Sequence, residues 1–241
     1  ETVILDVSFT SPPAPLSDNF IIGSPSGHTF TIRNDDTRLS IDSVRAVEGD
    51  AGTTDFIFTV TRTDNVNEVM FTLDTENDTA IAGAGFGQDY TAQSAVTITL
   101  AAGGPVTSTF TVSINVDTVV ERDEQFFVNI SGETNSEVTV RQGVGRIDND
   151  DTASLSIDAD VANNEGNSGL TGNTFTATLS NPVDSSILAT YSVAGSGANA
   201  AGLGDGDLVS TDGFIGFAAG ATTKTFTVLT GGDTQVQQDE T

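Results

Sequence analysis

A long internal repeat constrains the fold of this chain more than any other feature of its sequence. Three segments each occur twice, about 115 residues apart: Ile32–Thr37 with Ile147–Thr152, Leu39–Asp42 with Leu155–Asp158, and Phe110–Val112 with Phe226–Val228. Self-similarity at one spacing indicates a structural unit that is used more than once. Each segment is therefore interpreted as part of a domain that recurs along the chain.

The repeat divides the chain into one complete domain and two partial ones. Residues 37–151 form a complete repeat, residues 1–36 are the C-terminal strands of a preceding repeat, and residues 152–241 are the N-terminal part of a following repeat that lacks its last strands. Because Glu1-Thr2 repeats Glu240-Thr241, we interpret the chain as a stretch of a continuous array or filament divided at a repeat boundary. The alternative is an independent subunit whose partial repeats exchange strands with other copies.

Apolar and polar residues alternate within the repeat, which is the period of a β-strand with one buried face. The clearest runs are Phe56–Val60, Val96–Leu100 and Phe110–Ile114. Clusters rich in Gly, Asn, Asp and Ser separate these runs, and no segment carries a sustained helical stripe. The pattern predicts an all-β chain of tandem immunoglobulin-like β-sandwiches, with about seven strands in each.

The composition is strongly acidic. Asp and Glu number 34 against 8 Lys and Arg, and the formal net charge is −26. A surface of this sign repels phosphate groups, so we predict no nucleic-acid partner. No apolar run approaches the roughly 20 residues that span a bilayer, so we also predict no membrane insertion. Divalent cations and an extracellular medium suit such a surface, although acids that serve only solubility would give the same net charge.

The sequence offers little material for catalysis. It has no Cys, which excludes disulfides and thiol chemistry, and its single His, His28, is interpreted as an ordinary surface residue. One His without Cys disfavours a zinc site and a Ser/His/Asp triad. No nucleophile elbow or phosphate-binding loop occurs at a strand-to-helix turn. We therefore predict that the chain is not an enzyme.

Carboxylates are concentrated at fixed places in the repeat. The segment Asp117–Phe127 carries four acids ahead of an apolar strand, and a similar sequence occurs at Asp233–Thr241. Like charges gathered in one place raise each other's pKa and cost stability unless a cation neutralises them. Calcium takes about six to eight oxygen ligands, and carboxylates are the main source of them in proteins. We predict a calcium site here, and the alternative is a set of solvated loop acids.

Six stretches of the complete repeat together resemble the Calx-β domain: Val47–Asp50, Phe56–Arg62, Gln88–Tyr90, Leu100–Gly103, Asp117–Phe127 and Ile147–Asp151. The resemblance implies a seven-stranded sandwich of immunoglobulin type. It also implies that the calcium-binding members gather ions at one end of that sandwich. The sequence departs from the family pattern at Val116, where the best calcium binders carry a second Asp beside the one at Asp117.

The resemblance further implies which residues hold calcium. In the complete repeat they are Glu48, Asp89, Asp117, Glu121, Glu124, Asp150 and Asp151, with the backbone carbonyl of Val119. In a composite site built from the two partial repeats they are Glu165, Asp207, Asp233 and Glu240 together with Glu1, Asp35 and Asp36. Because Asp150 and Asp151 lie at the junction with the next repeat, an ion bound there would stiffen the angle between successive domains.

These observations lead to one functional prediction and one alternative. We predict a non-enzymatic structural or adhesive repeat of a secreted or surface-displayed bacterial protein, a filament or stalk that calcium rigidifies. Its partners are copies of itself or adjacent repeats, joined head to tail, with strands of one completing the sheets of the next. The alternative is a calcium-sensing or ligand-binding module of a larger enzyme or transporter.

Overall fold

A computed structural model describes residues 2–6, 27–31, 36–158, 161–197, 200–202 and 206–236, and the regular elements in these ranges are all β-strands. In chain order they are β1 (Thr2–Asp6), β2 (Gly27–Thr31), β3 (Thr37–Ile41), β4 (Val44–Val47), β5 (Thr54–Arg62), β6 (Val69–Asn77), β7 (Val96–Leu100), β8 (Thr107–Ile114), β9 (Glu124–Ser131), β10 (Ser136–Val140), β11 (Gln142–Asp148), β12 (Leu155–Ile157), β13 (Gly169–Leu179), β14 (Ile187–Tyr191), β15 (Gly213–Phe217) and β16 (Thr223–Gly232). No helix long and apolar enough to span a membrane occurs in these ranges. The predicted all-β class is confirmed.

Strands β3 to β11 form two sheets packed face to face, which we call the central sandwich. One sheet has the order β10-β3-β5-β8 and the other has the order β4-β11-β9-β6-β7. The alternation in β5 buries Phe56, Phe58 and Val60 completely, while Ile57 between them is 53% exposed. Apolar residues of both sheets form one continuous core, so the predicted sandwich is confirmed.

Two strands of the central sandwich change sheets partway along. β3 and β4 are separated by Asp42 and Ser43, and β10 and β11 are separated by Arg141. At the first break, the Asp42 carboxylate accepts a hydrogen bond of 2.7 Å from the Thr59 N–H, and the Asp42 N–H donates to the Thr59 carbonyl at 3.1 Å. The nine strand segments therefore correspond to seven strands, as the immunoglobulin-type prediction requires.

An aromatic group in the core fixes the segments that carry the candidate ligands. The Phe126 ring stacks on Tyr90 at 4.3 Å between centroids and lies 6.0 Å from both Phe56 and Phe58. Gly145 on β11 faces this ring, and a Cβ there would collide with Phe126. Tyr90 directly follows Asp89, and Phe126 lies two residues after Glu124. The core therefore sets the positions of these two candidate ligands.

Strands β12 to β16 form a further three-stranded sheet, β12-β13-β16, and a two-stranded sheet, β14-β15, which we call the C-terminal sheets. Their core contains Ala177, Leu179, Ile215 and Phe217. The hydrogen bonds seen at Asp42 return at Asp158: the Thr176 N–H donates to the Asp158 carboxylate at 2.9 Å, and the Asp158 N–H donates to the Thr176 carbonyl at 3.0 Å.

The first two strands, β1 and β2, form an antiparallel pair of their own. Thr2 lies opposite Thr31, and Asp6 lies opposite Gly27. In the central sandwich β9 pairs with β11 in the same antiparallel sense, with Gln125 opposite Arg146. The division of the chain into three repeats stays a prediction.

Candidate metal centre

The parallel pairing of β4 with β11 brings two acidic segments to one end of the central sandwich. Val47 lies opposite Asp148, so the residues that follow both strands emerge side by side. The Glu48 N–H donates to the Asp148 carbonyl at 3.2 Å, and the Gly49 N–H donates to the Asp150 carboxylate at 3.2 Å. One carboxylate oxygen from each of Glu48, Asp150 and Asp151 lies within 4.8 Å of the other two.

Two of these three carboxylates are buried with an oxygen that no group satisfies. Glu48 is 3% exposed and Asp151 is 8% exposed. Within the described residues, Glu48 Oε1 and Asp151 Oδ2 are buried and have no hydrogen-bond partner. A buried carboxylate that lacks a donor is costly, and it must take up a proton or face a cation.

Asp89 and Glu124 form a second carboxylate pair at the same end. Asp89 is 5% exposed, and its Oδ2 accepts a hydrogen bond of 2.6 Å from the Ile81 N–H. The Asp89 carbonyl also accepts a hydrogen bond of 2.8 Å from the Asn115 N–H, which ties this segment to the end of β8. Glu124 begins β9 and lies within hydrogen-bond distance of Asp89. Two carboxylates this close repel each other when no cation lies between them.

The loop between β8 and β9 brings Asp117 and Glu121 to the cluster. The Asp117 carboxylate accepts a hydrogen bond of 2.7 Å from the Val119 N–H, a local turn that fixes the start of the loop. The Glu121 N–H donates to Asn149 Oδ1 at 3.1 Å, and Asn149 Nδ2 donates to the Asp151 carbonyl at 3.0 Å. Asn149 thus fastens this loop to the segment after β11.

The cluster is electrostatically strained when it holds only carboxylates. Burial, followed by repulsion from neighbouring acids, raises the pKa of Glu48 to about 8 and that of Glu121 to about 7. Burial and the hydrogen bond with Asp89 raise the pKa of Glu124 to about 8. The pKa of Asp151 is also raised, first by burial and then by nearby acids. At neutral pH Glu48 and Glu124, and Glu121 in part, retain protons that a cation would displace.

Arginines neutralise other acids at this end of the sandwich. Asp148 pairs with Arg45 at 2.7 Å and with Arg146 at 3.2 Å, and Asp123 pairs with Arg146 at 2.8 Å. These two acids already have charged partners and are poor candidates for a metal. The ion pairs in the described part of the chain include none of Glu48, Asp89, Asp117, Glu121, Glu124, Asp150 and Asp151.

The donor set fits calcium. It consists of oxygen atoms only, from carboxylates of the five segments around Glu48, Asp89, Asp117–Glu121, Glu124 and Asp150–Asp151. A hard cation with about six to eight oxygen ligands matches this set, whereas zinc prefers nitrogen and sulfur. Sequence reasoning did not assign a role to Asn149, and its position within the matched stretch Ile147–Asp151 was the available signal.

The C-terminal sheets place two of the other candidate ligands, Glu165 and Asp233, in a similar local setting. The Glu165 carbonyl accepts a hydrogen bond of 2.8 Å from the Thr171 hydroxyl, as the Glu48 carbonyl does from Thr54 at 2.6 Å. The Asp233 carboxylate accepts a hydrogen bond of 2.6 Å from the Gln235 N–H, which matches the turn at Asp117.

The rest of the composite site is only partly described. Asp207 is 6% exposed, and its carbonyl accepts a hydrogen bond of 3.1 Å from the Gly231 N–H. Asp36 is exposed immediately before β3. Glu1, Asp35 and Glu240 lie outside the described residues, so the composite site of the two partial repeats stays a prediction.

Comparison with known proteins gives a family match and several distant structural matches. The model of the Calx-beta domain matches residues 33–160, more than half of the chain. No curated protein matches the chain.

Three solved structures that resemble the chain share 15 to 20% of their sequence with it. An apo-form Calx CBD1 domain is 20% identical with a TM-score of 0.42, and the match covers 48% of this chain and 100% of that one. The calcium binding domain CBD12 of CALX1.1 is 15% identical with a TM-score of 0.41, covering 79% of this chain and 74% of that one. CBD12 from CALX1.2 is 15% identical with a TM-score of 0.39, covering 80% and 75%. On the family match over residues 33–160, the chain belongs to the Calx-beta family.

Proposed function

We propose that the central sandwich binds calcium through the carboxylates gathered at one end. The observation that carries this proposal is the pair of buried, partnerless oxygens on Glu48 and Asp151 beside Asp150. The residues that would hold the ion are Glu48, Asp89, Asp117, Glu121, Glu124, Asp150 and Asp151, with the Val119 carbonyl. Bound calcium would supply the positive charge that these groups otherwise obtain from protons.

Calorimetric titration of the full chain with calcium tests this proposal. We expect saturable binding with proton release near neutral pH, because the raised pKa values leave protons on the acids that calcium must displace. Glu48→Gln should weaken the binding at least tenfold. Glu68→Gln is the matched control, since Glu68 is exposed in the turn between β5 and β6, at the opposite end of the sandwich. An isotherm without heat or proton release would overturn the proposal.

The role we propose for this binding is mechanical rather than catalytic. We infer a secreted or surface-displayed scaffold in which calcium stiffens the junction after Asp151. The support is the position of Asp150 and Asp151, which belong to the cluster and lead directly into the segment before β12. The acidic composition, with a net charge of −26, suits a calcium-rich extracellular medium.

The absence of Cys makes this stiffening simple to measure. Spin labels on Thr99→Cys and Thr225→Cys would report the distance between exposed positions on β7 and β16. We expect calcium to narrow the distance distribution and a chelator to broaden it. Equal widths in both conditions would contradict the stiffening role while leaving calcium binding intact.

The head-to-tail association with other repeats or copies also remains our proposal. The β1–β2 pair has the antiparallel sense and relative register of β9 and β11, the strands that complete the central sandwich. We propose that such a pair completes the C-terminal sheets of a neighbouring unit by strand addition. Light scattering should show concentration-dependent assembly of the full chain and none after deletion of residues 1–36. Assembly that survives the deletion would contradict it.

Calcium affinity separates this role from the alternative of a sensing module in a larger enzyme or transporter. The observation that favours a sensor is the direct hydrogen bonding between the ligand-bearing loop and the C-terminal sheets, which offers a route for a signal. Sensor sites bind calcium at about 10⁻⁷ to 10⁻⁵ M, and extracellular modules bind it at about 10⁻⁴ to 10⁻³ M. A dissociation constant of about 10⁻⁴ to 10⁻³ M would support the scaffold role.

A further inference from the structure

The loop that carries Asp117 and Glu121 is joined to the C-terminal sheets. The Val120 N–H donates to the Pro182 carbonyl at 2.9 Å, and the Asp184 N–H donates to the Val120 carbonyl at 3.2 Å. These bonds make Val120 and Val183 a parallel β-bridge between the central sandwich and the segment before β14. A ligand-bearing loop of one unit is thus held in register by the backbone of the other.

Two further contacts fix the partner segment in place. The Gly220 N–H donates to the Val183 carbonyl at 2.9 Å, which ties this segment to the turn between β15 and β16. The Phe86 ring of the central sandwich lies against the same turn, where a Cβ on Gly220 would come within 3.3 Å of it. Gly220 also has a φ of +76°, a conformation that favours glycine. The docking therefore involves two separate loops of the central sandwich.

This docking brings a carboxylate from outside the central sandwich to the cluster. Asp184 is partly buried, and its backbone is bonded to the residue immediately before Glu121. The parallel bridge between Val120 and Val183 also sets Asp184 beside Glu121, the next residue along each segment. An acid held this close to other acids costs free energy unless something positive lies between them. Notably, the buried Glu48 and Asp151 oxygens that lack a partner belong to the same cluster.

We propose that Asp184 supplies a carboxylate oxygen to the calcium ion held by the central sandwich, so that the site is completed across the boundary between the two units. This inference rests on the calcium binding proposed above and adds a ligand to it. The ion then joins the central sandwich to the C-terminal sheets directly. Its binding energy would hold the two units in one orientation, beyond any stiffening of the linking peptide after Asp151.

Calcium titration of the full chain and four single variants tests the inference. Asp184→Asn keeps the backbone bond to Val120 and removes the charge, while Asp184→Glu keeps the charge and shifts the oxygen. Asp117→Ala tests the central sandwich alone, and Glu68→Gln removes one charge at the far end. We expect Asp184→Asn to weaken calcium binding about tenfold, Asp184→Glu to weaken it less, and Glu68→Gln to leave it within about twofold of the unaltered chain.

Titration at high salt distinguishes direct binding of calcium by the Asp184 carboxylate from a long-range effect of its charge. Each titration is repeated at about 1 M KCl, where the Debye length is about 3 Å and a charge that is not in contact with the ion is screened. A weakening by Asp184→Asn that persists at high salt supports direct ligation. A weakening that disappears at high salt, or that is no larger than for Glu68→Gln, overturns it.

The outcomes for this inference and for calcium binding itself are distinguishable. If the unaltered chain and Asp184→Asn bind calcium equally while Asp117→Ala does not, the central sandwich binds calcium and the cross-boundary ligand is wrong. If the unaltered chain binds no calcium, both proposals are wrong. The spin-label pair on β7 and β16 gives an independent readout, because loss of the ligand should broaden the distance distribution of calcium-loaded Asp184→Asn.

Discussion

The central sandwich and the C-terminal sheets use the same local devices but bury their acids differently. Asp42 and Asp158 each accept a hydrogen bond from a Thr N–H directly after a strand ends. Yet Glu48 is 3% exposed, whereas Glu165 in the matching turn is only partly buried. In the central sandwich the end of β11 and the segment after it lie beside Glu48, whose N–H donates to the Asp148 carbonyl. Burial of the cluster therefore depends on the last strand of the domain as much as on the first.

The two units also differ at the end away from the cluster. Arg62 lies opposite Leu39 and is 2% exposed, while Leu179 lies opposite Leu155 at 6% exposure. The Arg62 guanidinium donates to the carbonyls of Pro105, Asn67, Leu100 and Ala101 at 3.1, 2.9, 3.2 and 2.8 Å. One buried cation thus binds four backbone carbonyls in the central sandwich, and an apolar side chain takes its place in the C-terminal sheets.

The largest expected effect is on stability, when Arg62 of the central sandwich is replaced by the leucine that the C-terminal sheets carry at the matching position. Arg62→Leu removes the donors for four carbonyls, and each buried carbonyl left unpaired costs about 1–3 kcal/mol. We expect the free energy of unfolding to fall by about 3 kcal/mol or more in urea titrations. Arg38→Leu is the control, because its ion pair with Glu137 is exposed and such pairs contribute about 0–1 kcal/mol. Similar losses for the two variants would contradict this reading of Arg62.

A pair of substitutions compares the two acidic turns directly. Glu48→Gln should weaken calcium binding by about 10- to 100-fold, since it replaces a buried carboxyl group that we propose as a ligand with a neutral amide. Glu165→Gln should weaken calcium binding less than threefold, since Glu165 belongs to the C-terminal sheets. Isothermal titration of both variants at one pH provides the comparison. Equal effects would show that the cluster is not confined to the central sandwich and its immediate neighbours.

The stability of the calcium-free chain should depend on pH in an unusual direction. Glu48 and Glu124 have pKa values of about 8 in the fold against a reference of 4.5, so the folded state binds more protons than the unfolded state between these values. Stability is therefore highest at the acidic side of this window and is lost as the pH rises through about 8. We expect the midpoint of thermal unfolding to fall by about 5 °C or more between pH 5.5 and 8.5.

Calcium should reverse that trend. Saturating calcium stabilises the fold most at pH 8.5, where the acids have lost their protons and bind the ion best. Circular dichroism melts with and without calcium at several pH values provide the measurement. A calcium-free midpoint that rises with pH would contradict the raised pKa values.

The smallest expected effect concerns the acid that arginines already neutralise. Asp148→Asn removes exposed ion pairs with Arg45 and Arg146, and it should change the free energy of unfolding by less than about 1 kcal/mol. Calcium affinity should stay within about twofold of the unaltered chain. A loss as large as that of Glu48→Gln would place Asp148 among the ligands.

The sequence predicted the fold well because a strand's period is local. The alternation in Phe56–Val60 required only that one face be buried, and the structure buries that face. Asp150 and Asp151 were assigned through the family pattern, and the parallel β4–β11 pair brings them beside Glu48. Whether these residues hold calcium stays a prediction.

Other features could not be obtained from sequence because they depend on where loops meet. Asn149 matters through its bonds to Glu121 and Asp151, and Asp184 matters through the docking of Val120. The Arg62 side chain gave no signal in a strand pattern, because its partners are backbone carbonyls at Asn67 and at Leu100, Ala101 and Pro105. Residue type alone does not encode such contacts.

The path of the chain through the central sandwich determines how it would carry mechanical load. β3 pairs in parallel with β10, and β4 pairs in parallel with β11, so the chain enters beside Ser136 and leaves beside Val47. Tension applied at the two ends pulls these paired strands in opposite directions along their length. The interstrand hydrogen bonds are then loaded together rather than opened one after another, which gives the greatest resistance to extension that such a pair can offer.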